Sequence, residues 1–420
     1  MSIIEGSGRI APPEVTPGTE DDLCSPGLAR GHIERLHYPR RSGTAAEGVA
    51  LGYLSDVLTA MSLECRRERF PVPFVAGEVA SRIAFAVSAM LIVAGVWIGA
   101  SRPLAVATCW AAAGILAQAP WHVAGLIGRR WPTRTFSENL IGALSQDDPE
   151  ACPARVVFMA HHDTKSQSLP TGVRVAAVGV VSAACGALFL CGMIAAAGAS
   201  GAVSGEIPLS IAAVALTGLA LLACNSTGNR SPGALDNGSG LGTLLELART
   251  WRPRPGAPVE AFWVATGAEE LGLVGARDLL RRHERWWRQK PTLLINLDSV
   301  GAGKRIYLAG ERTALSLASE TADRLGLDWS RLRYVGAGMD HEPFAARGLT
   351  AVSLLGDVVS ASLSMHSSRD TLEVVDDSAL DRAGRLASEL AWGWAERHRA
   401  DRPIMTSCPS CVVPEGATLP

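Results

Sequence analysis

The chain has 420 residues, room for one large domain or two medium ones, and 48% of them are hydrophobic against 19% charged. A formal net charge of −2 with no broadly basic segment argues against a nucleic-acid partner. Of nine cysteines, Cys109, Cys185, Cys191 and Cys224 lie in apolar stretches, Cys24, Cys65 and Cys152 are isolated, and only Cys408 and Cys411 form a CxxC, so no disulfide framework is expected.

The first residues lack a basic start followed by an apolar run, so no cleaved signal peptide is expected, and 1–30 reads as a poorly ordered tail. Apolar residues at helical spacing predict a helix over Ala45–Met61. Two long apolar stretches follow, Ile83–Ala100 and Pro103–Gly128, joined by Ser101 and Arg102. Arg155–Ala160 reads as a buried strand. Two further apolar stretches, Val175 to about Ala199 and Ile207–Ala223, are joined by a loop carrying Glu206. A bilayer core takes about 20 apolar residues as helix. The four stretches are therefore expected to form two transmembrane hairpins, at 80–128 and 171–226. The flanks hold Arg66, Arg67, Arg69, Arg82, Arg129, Arg130, Arg134, Lys165, Arg174 and Arg230, and the tips only Arg102. That bias places the polar domain in the cytoplasm.

Between and after the hairpins, helices and strands alternate. Gly240–Thr250 reads as helix, Val259–Ala265 as strand, Leu271–His283 as helix, and Thr292–Asp298 as buried strand. Thr313–Leu325 reads as helix, Thr350–Leu355 as strand, and Ser378–Arg397 as the closing helix. The pattern predicts an α/β domain, a mostly parallel mixed sheet covered by helices on both faces and assembled from 31–79, 129–170 and 227–398, with 399–420 as a tail. Trp286 and Trp287 within the basic run Arg281–Arg288 suggest a patch able to rest on anionic headgroups.

Functional groups on such sheets gather beyond the carboxyl ends of the strands. His161-His162-Asp163 follows the first buried strand, Glu269-Glu270 follows Val259–Ala265, and Asp298 ends Thr292–Asp298. Asp236-Asn237-Gly238 precedes the helix at Gly240, and His366 lies in the loop after Thr350–Leu355. Each alone is ordinary. Together, carboxylates and imidazoles at one sheet edge call for a cation, and that mixture suits zinc.

The order His-x-Asp, Asp-Asn-Gly-Ser-Gly, Glu-Glu-x-Gly, Asn-Leu-Asp and a late His resembles the double-zinc exopeptidases of clan MH, which include bacterial aminopeptidases, glutamate carboxypeptidases and glutaminyl cyclases. Arg41-Ser42-Gly43-Thr44, Ser137-Glu138-Asn139-Leu140 and Asp340-His341-Glu342-Pro343-Phe344 also look like segments of that family, and the likeness covers about 30–75, 135–165 and 230–398. It implies the zinc-exopeptidase fold and two zinc ions. His161 and Asp298 would hold one ion, Glu270 and His366 the other, and Asp236 would bridge them. It further implies a zinc-activated water, Glu269 as general base, Asp163 behind His161, and a peptide as substrate. Two positions depart from the pattern. His162 stands in the middle of His-x-Asp, and the Tyr nearest before Asp340 is Tyr334. An aminopeptidase anchored in the bilayer is the expected function. A glutaminyl cyclase-like acyltransferase with one zinc and a non-catalytic membrane scaffold are the alternatives. Since the second hairpin begins about ten residues after Asp163, the metal site is bounded to within roughly 35–40 Å of the bilayer surface at ~3.6 Å per residue.

Overall fold

The structure, a computed structural model, describes residues 26–72, 74–118, 135–145, 151–199, 205–332 and 338–399. Residues 1–25 and 400–420, with Cys24, Cys408 and Cys411, lie outside the described part, as do Tyr334, Arg129, Arg130 and Arg134.

Eight strands form one sheet in the order β1-β2-β6-β3-β7-β10-β8-β9. Its centre is β3 (Arg155–His161), β6 (Glu260–Thr266), β7 (Thr292–Asp298) and β10 (Thr350–Leu355), all parallel. Their near-continuous Val, Leu and Ile runs suit strands buried on both faces. Alternation along β3 sorts the two layers. Val156, Phe158 and Ala160 face a core shared with α1 (Pro26–Leu36), α2 (Ala45–Ala60), α7 (Gly240–Thr250), α10 (Arg312–Arg324) and α12 (Asp377–Arg399). Val157 and Met159 face α8 (Val274–Arg282), α9 (Glu284–Gln289) and α11 (Glu342–Ala345) on the other side. In the larger core Phe158 stacks on Trp263, and Trp251 on Trp392, with ring centroids 5.8 and 6.3 Å apart.

Several elements depart from the sequence reading. Helix α1 begins at Pro26, within the expected tail. The edge pair β1 (Leu63–Pro71) and β2 (Phe136–Leu144) runs antiparallel. Charged side chains on the half-exposed β1 hid its strand pattern. The helix expected from Leu271 starts only at Val274, because Glu269 to Leu273 form a turn in which Gly272 N–H donates to the Glu269 carbonyl at 2.9 Å and Leu273 takes a left-handed φ of 59°. Two outer strands, β8 (Ile306–Gly310) and β9 (Trp329–Arg331), gave too short a signal to be predicted. Trp287 is 3% exposed, and Trp286 packs edge-on to Phe262, 4.9 Å between centroids, with the Arg155 guanidinium over its ring. Trp287 is thus used inside the domain, while Trp286 stays half-buried beside the exposed Arg285 and Arg288.

The two apolar excursions leave the domain at hydrogen-bonded feet. The first departs after Val72, whose N–H donates to the Thr135 carbonyl at 2.9 Å where the chain returns. The second stands on a small antiparallel ribbon, β4 (Ser166–Gln167) with β5 (Thr227–Gly228). Their helices α3 (Phe74–Ile98), α4 (Pro103–Gln118), α5 (Thr171–Ala196) and α6 (Glu206–Ala223) pack as one group around Ile92, Trp110, Val181, Leu188 and Leu219. Gly95 lies directly against the Trp110 ring, where a Cβ would overlap it, and such small residues permit close helix approach. Among the described residues three helices, α3, α5 and α6, are long and apolar enough to cross a membrane. The fourth expected span, 103–128, is described only as far as 118, and α4 is 16 residues long there.

Candidate metal centre

Parallel strands point their carboxyl ends the same way, so β3, β6 and β7 deliver His161, the Thr266–Glu270 turn and Asp298 to one edge. Two groups of donor atoms form there, His161 with Asp236 and Asp298, and Asp236 with Glu270 and His366, each with its atoms within 4.8 Å of one another. Asp236 is common to both. Its Oδ1 lies 3.2 Å from His161 Nε2 and its Oδ2 2.9 Å from His366 Nε2. His161 Nε2 is 3.8 Å from Asp298 Oδ1, and His366 Nε2 is 3.2 Å from Glu270 Oε2. All five side chains predicted to bind metal therefore meet at one centre.

The loops that carry them are tightly held. Asn237 gives its Nδ2–H to the Leu297 carbonyl at 2.8 Å and accepts the N–H groups of Gly240 and Ser299, each at 3.0 Å. A Cβ on Gly240 would run into that amide and the Leu297 carbonyl, so the close approach needs glycine. Asp370 accepts the N–H groups of Leu235 at 2.7 Å and Asp236 at 3.2 Å. Ala268, Ser299 and His366 have φ of 53°, 53° and 59°, the left-handed region that non-glycine residues seldom adopt. Such positions persist where surrounding contacts enforce them.

Burial opposes the charge on His161, but Glu269, Asp163, Asp236 and Asp298 outweigh it and raise its pKa well above the ordinary value. Burial would likewise raise Asp236, yet the hydrogen bonds from His161 and His366 bring it well below the usual range. Glu269 goes the other way. Burial pushes it well above the carboxylate range, the Glu270, Asp298 and Asp340 carboxylates add to this, and His161 offsets only part. Asp340, also fully buried, is pushed up to about 7 by burial and accepts a short hydrogen bond from Thr266 Oγ1.

Asp163 stands behind His161 and also serves a second group. The Nδ1 of His161 meets the Asp163 backbone carbonyl at 3.1 Å, and the carboxylate stays 3.7 Å away. The carboxylate also accepts the Glu269 N–H at 3.1 Å and the Ser42 hydroxyl at 2.7 Å. His162 points away from the centre, with Nε2 on the Glu138 carbonyl at 2.9 Å.

Sequence reasoning missed Arg40 and Lys165. Arg40 is fully buried and donates to the carbonyls of His162, Leu36, Pro232 and Gly233 at 2.7 to 3.0 Å, joining three loops around the centre. Its place beside Arg41-Ser42-Gly43 was the only available signal. Lys165, read as a flank charge, donates to Glu270 Oε2 at 2.7 Å and to the Glu270 carbonyl at 3.1 Å. Glu270 Oε1 is buried without a hydrogen-bond partner. An orphaned carboxylate oxygen among two imidazoles and three other carboxylates fits a divalent cation, and the nitrogen–oxygen mixture suits zinc.

Residues 223–391 match the family described as peptidase family M28. Aminopeptidase YwaD of Bacillus subtilis (strain 168) is 29% identical over 185 residues, 41% of this chain and 40% of that protein. The match thus spans less than half of that relative's length. The fold is shared with BSAP, a zinc aminopeptidase from Bacillus subtilis, at a TM-score of 0.53 and 15% identity over 88% of this chain and 95% of that one. It is shared equally with an aminopeptidase from Aneurinibacillus sp. strain AM-1, at 0.52 and 14% over 88% and 94%. The match to peptidase family M28 covers the segment that carries Asp236, Glu269, Glu270, Asp298 and His366, and the chain is similar to that family there.

Proposed function

We propose that the chain is a membrane-anchored zinc exopeptidase, an aminopeptidase that removes N-terminal residues from short peptides. The observation that carries the reading is the pair of buried donor groups sharing Asp236, with one more buried carboxylate, Glu269, beside them. His161, Asp236 and Asp298 would hold one zinc ion, and Asp236, Glu270 and His366 a second. Bound zinc supplies Lewis acidity and lowers the pKa of water at the site. Glu269 Oε2 lies 3.9 Å from His161 Nε2 and belongs to neither donor group. Its carboxylate would accept a proton from the attacking water and pass it to the leaving amine. Asp163, by accepting the Glu269 backbone N–H, orients that base.

The anchoring half rests on the helices. α3, α5 and α6 carry large exposed apolar residues, among them Trp97 at 89% and Met90 at 61% exposed. A helix apolar on all sides needs lipid or protein around it. The arginine bias between flanks and tips favours a cytoplasmic catalytic domain.

Hydrolysis of aminoacyl amides and N-blocked peptides, with and without chelator, tests the reading. Aminoacyl amides are expected to be cleaved and blocked peptides not, with activity lost on chelation. Glu269→Gln should lower kcat at least about 100-fold while zinc content stays unchanged. Cleavage of blocked peptides alone, or one zinc per chain with cyclisation of N-terminal glutamine, would overturn the aminopeptidase assignment.

A further inference from the structure

The first turn of α5, a helix long enough to cross a bilayer, reaches the metal centre. Thr171 Oγ1 lies 3.2 Å from His366 Nδ1. Arg174 Nη2 lies 2.9 Å from that same hydroxyl and 3.0 Å from the same ring nitrogen. At the foot of the hairpin, the Gln167 N–H donates to the His366 carbonyl at 2.8 Å.

His366 turns Nε2 toward Asp236 and Glu270. When Nε2 serves as a ligand the neutral ring carries its proton on Nδ1, and that N–H requires an acceptor. The Arg174 guanidinium only donates, so it cannot be that acceptor. A threonine hydroxyl has two lone pairs. One can take the Arg174 N–H, at 2.9 Å, and the other the His366 N–H, at 3.2 Å, an assignment in which the Arg174 N–H now 3.0 Å from Nδ1 turns off the ring when Nε2 binds metal. Among the described residues no other acceptor is recorded at Nδ1. The backbone of His366 is left-handed, at φ 59°, so its ring direction leans on these partners.

We propose that Thr171 is a positioning residue for the second metal position. It sets the tautomer and direction of His366, Arg174 holds its hydroxyl in place, and the membrane hairpin is thereby a structural part of the metal centre. The proposal rests on the zinc reading above.

The test uses the full chain in phosphatidylcholine–phosphatidylglycerol nanodiscs, with zinc per chain measured by mass spectrometry against graded chelator. Wild type should retain two ions. Thr171→Val should release one of them at about 10- to 100-fold lower chelator concentration, since losing the partner of a ligating histidine typically costs that much affinity. Thr171→Ser, which keeps the hydroxyl, should restore retention. Thermal melting of each variant separates metal loss from misfolding. If Thr171→Val folds poorly, Thr171→Ala is read in its place, with the same loss expected. Wild-type retention of both ions by whichever folded variant is read overturns the inference alone. A wild type that binds fewer than two ions overturns the zinc reading and this inference with it.

Discussion

Asp163 accepts a backbone N–H from the turn after β6 and a hydroxyl from the segment before α2, and so ties Glu269 to Ser42 through one carboxylate. Side chains of this kind gain stability by being satisfied, and their titration shows where that gain ends. His32 illustrates it outside the metal centre. It is 5% exposed, its Nδ1 lies 2.7 Å from the Tyr53 hydroxyl, and burial first, then the Arg249 charge, lowers its pKa from 6.5 to about 4. The folded state thus keeps His32 neutral where the unfolded chain would protonate it. The stability from this difference is fully present above pH 6.5 and is lost as pH falls from 6.5 through 4, up to about 3 kcal/mol. His32→Gln removes the titration, so its stability curve should converge on or cross that of wild type over this window. Thermal melts of both proteins between pH 4 and 7 measure it, and parallel curves would refute the assignment. The identities of the five donors were readable from sequence because each follows or ends a predicted strand or precedes a predicted helix. Arg40 was not readable, since a lone arginine in a basic run carries no sign that it will be buried among carbonyls.

Four parallel strands set the direction of the elements, and the turns after them set the site. Ala268 just before Glu269 and Ser299 just after Asp298 both take left-handed backbone, turning the chain sharply at the strand ends. The expected helix at Leu271 gave way to this turn because tertiary contacts overrode its helical spacing. The Glu269 carbonyl accepts from Gly272 and Leu273, and Val274 N–H goes back to Ala268. Arg40 holds the neighbouring loops through four carbonyls. Arg40→Met would leave those buried acceptors unsatisfied, at about 1–3 kcal/mol for each one that finds no water. The expected loss is at least about 3 kcal/mol, or a Tm lower by about 6 °C or more. Differential scanning of the purified protein decides it, and a Tm within a degree of wild type would mean that the loops hold without Arg40.

Both apolar excursions behave as insertions at the scale of the whole molecule. Their feet are hydrogen-bonded pairs, Val72 with Thr135 and the Ser166–Gln167 ribbon with Thr227–Gly228, so the sheet closes without them. Replacing 73–134 and 169–225 by short turns should yield a protein that stays in solution without detergent and keeps its α/β circular dichroism, whereas the full chain should partition with membranes. Because that replacement removes Thr171, zinc retention at the second position should fall as in Thr171→Val. Insolubility of the shortened chain with lost secondary structure would mean that the helices support the sheet. The contact between α5 and His366 also tightens the sequence bound of roughly 35–40 Å. If α5 spans the bilayer, the metal centre sits at its surface, and substrates must reach it there.

Local chemistry determined much of this protein. Apolar run length marked the hairpins, alternation marked the α/β core, and the residue types after each strand marked the donors, because burial and strand direction follow from short-range pattern. Tertiary structure alone decided which hydrogen bonds those donors receive. The Asp163 carboxylate reaches Glu269 and Ser42 as well as the His161 ring, Lys165 pairs with Glu270, and Thr171 reaches from a long apolar helix to His366. Each of these contacts joins segments distant along the chain or depends on how such segments pack. No sequence window contains the geometry that selects one polar partner over another, since that choice is made when buried groups must all be satisfied at once.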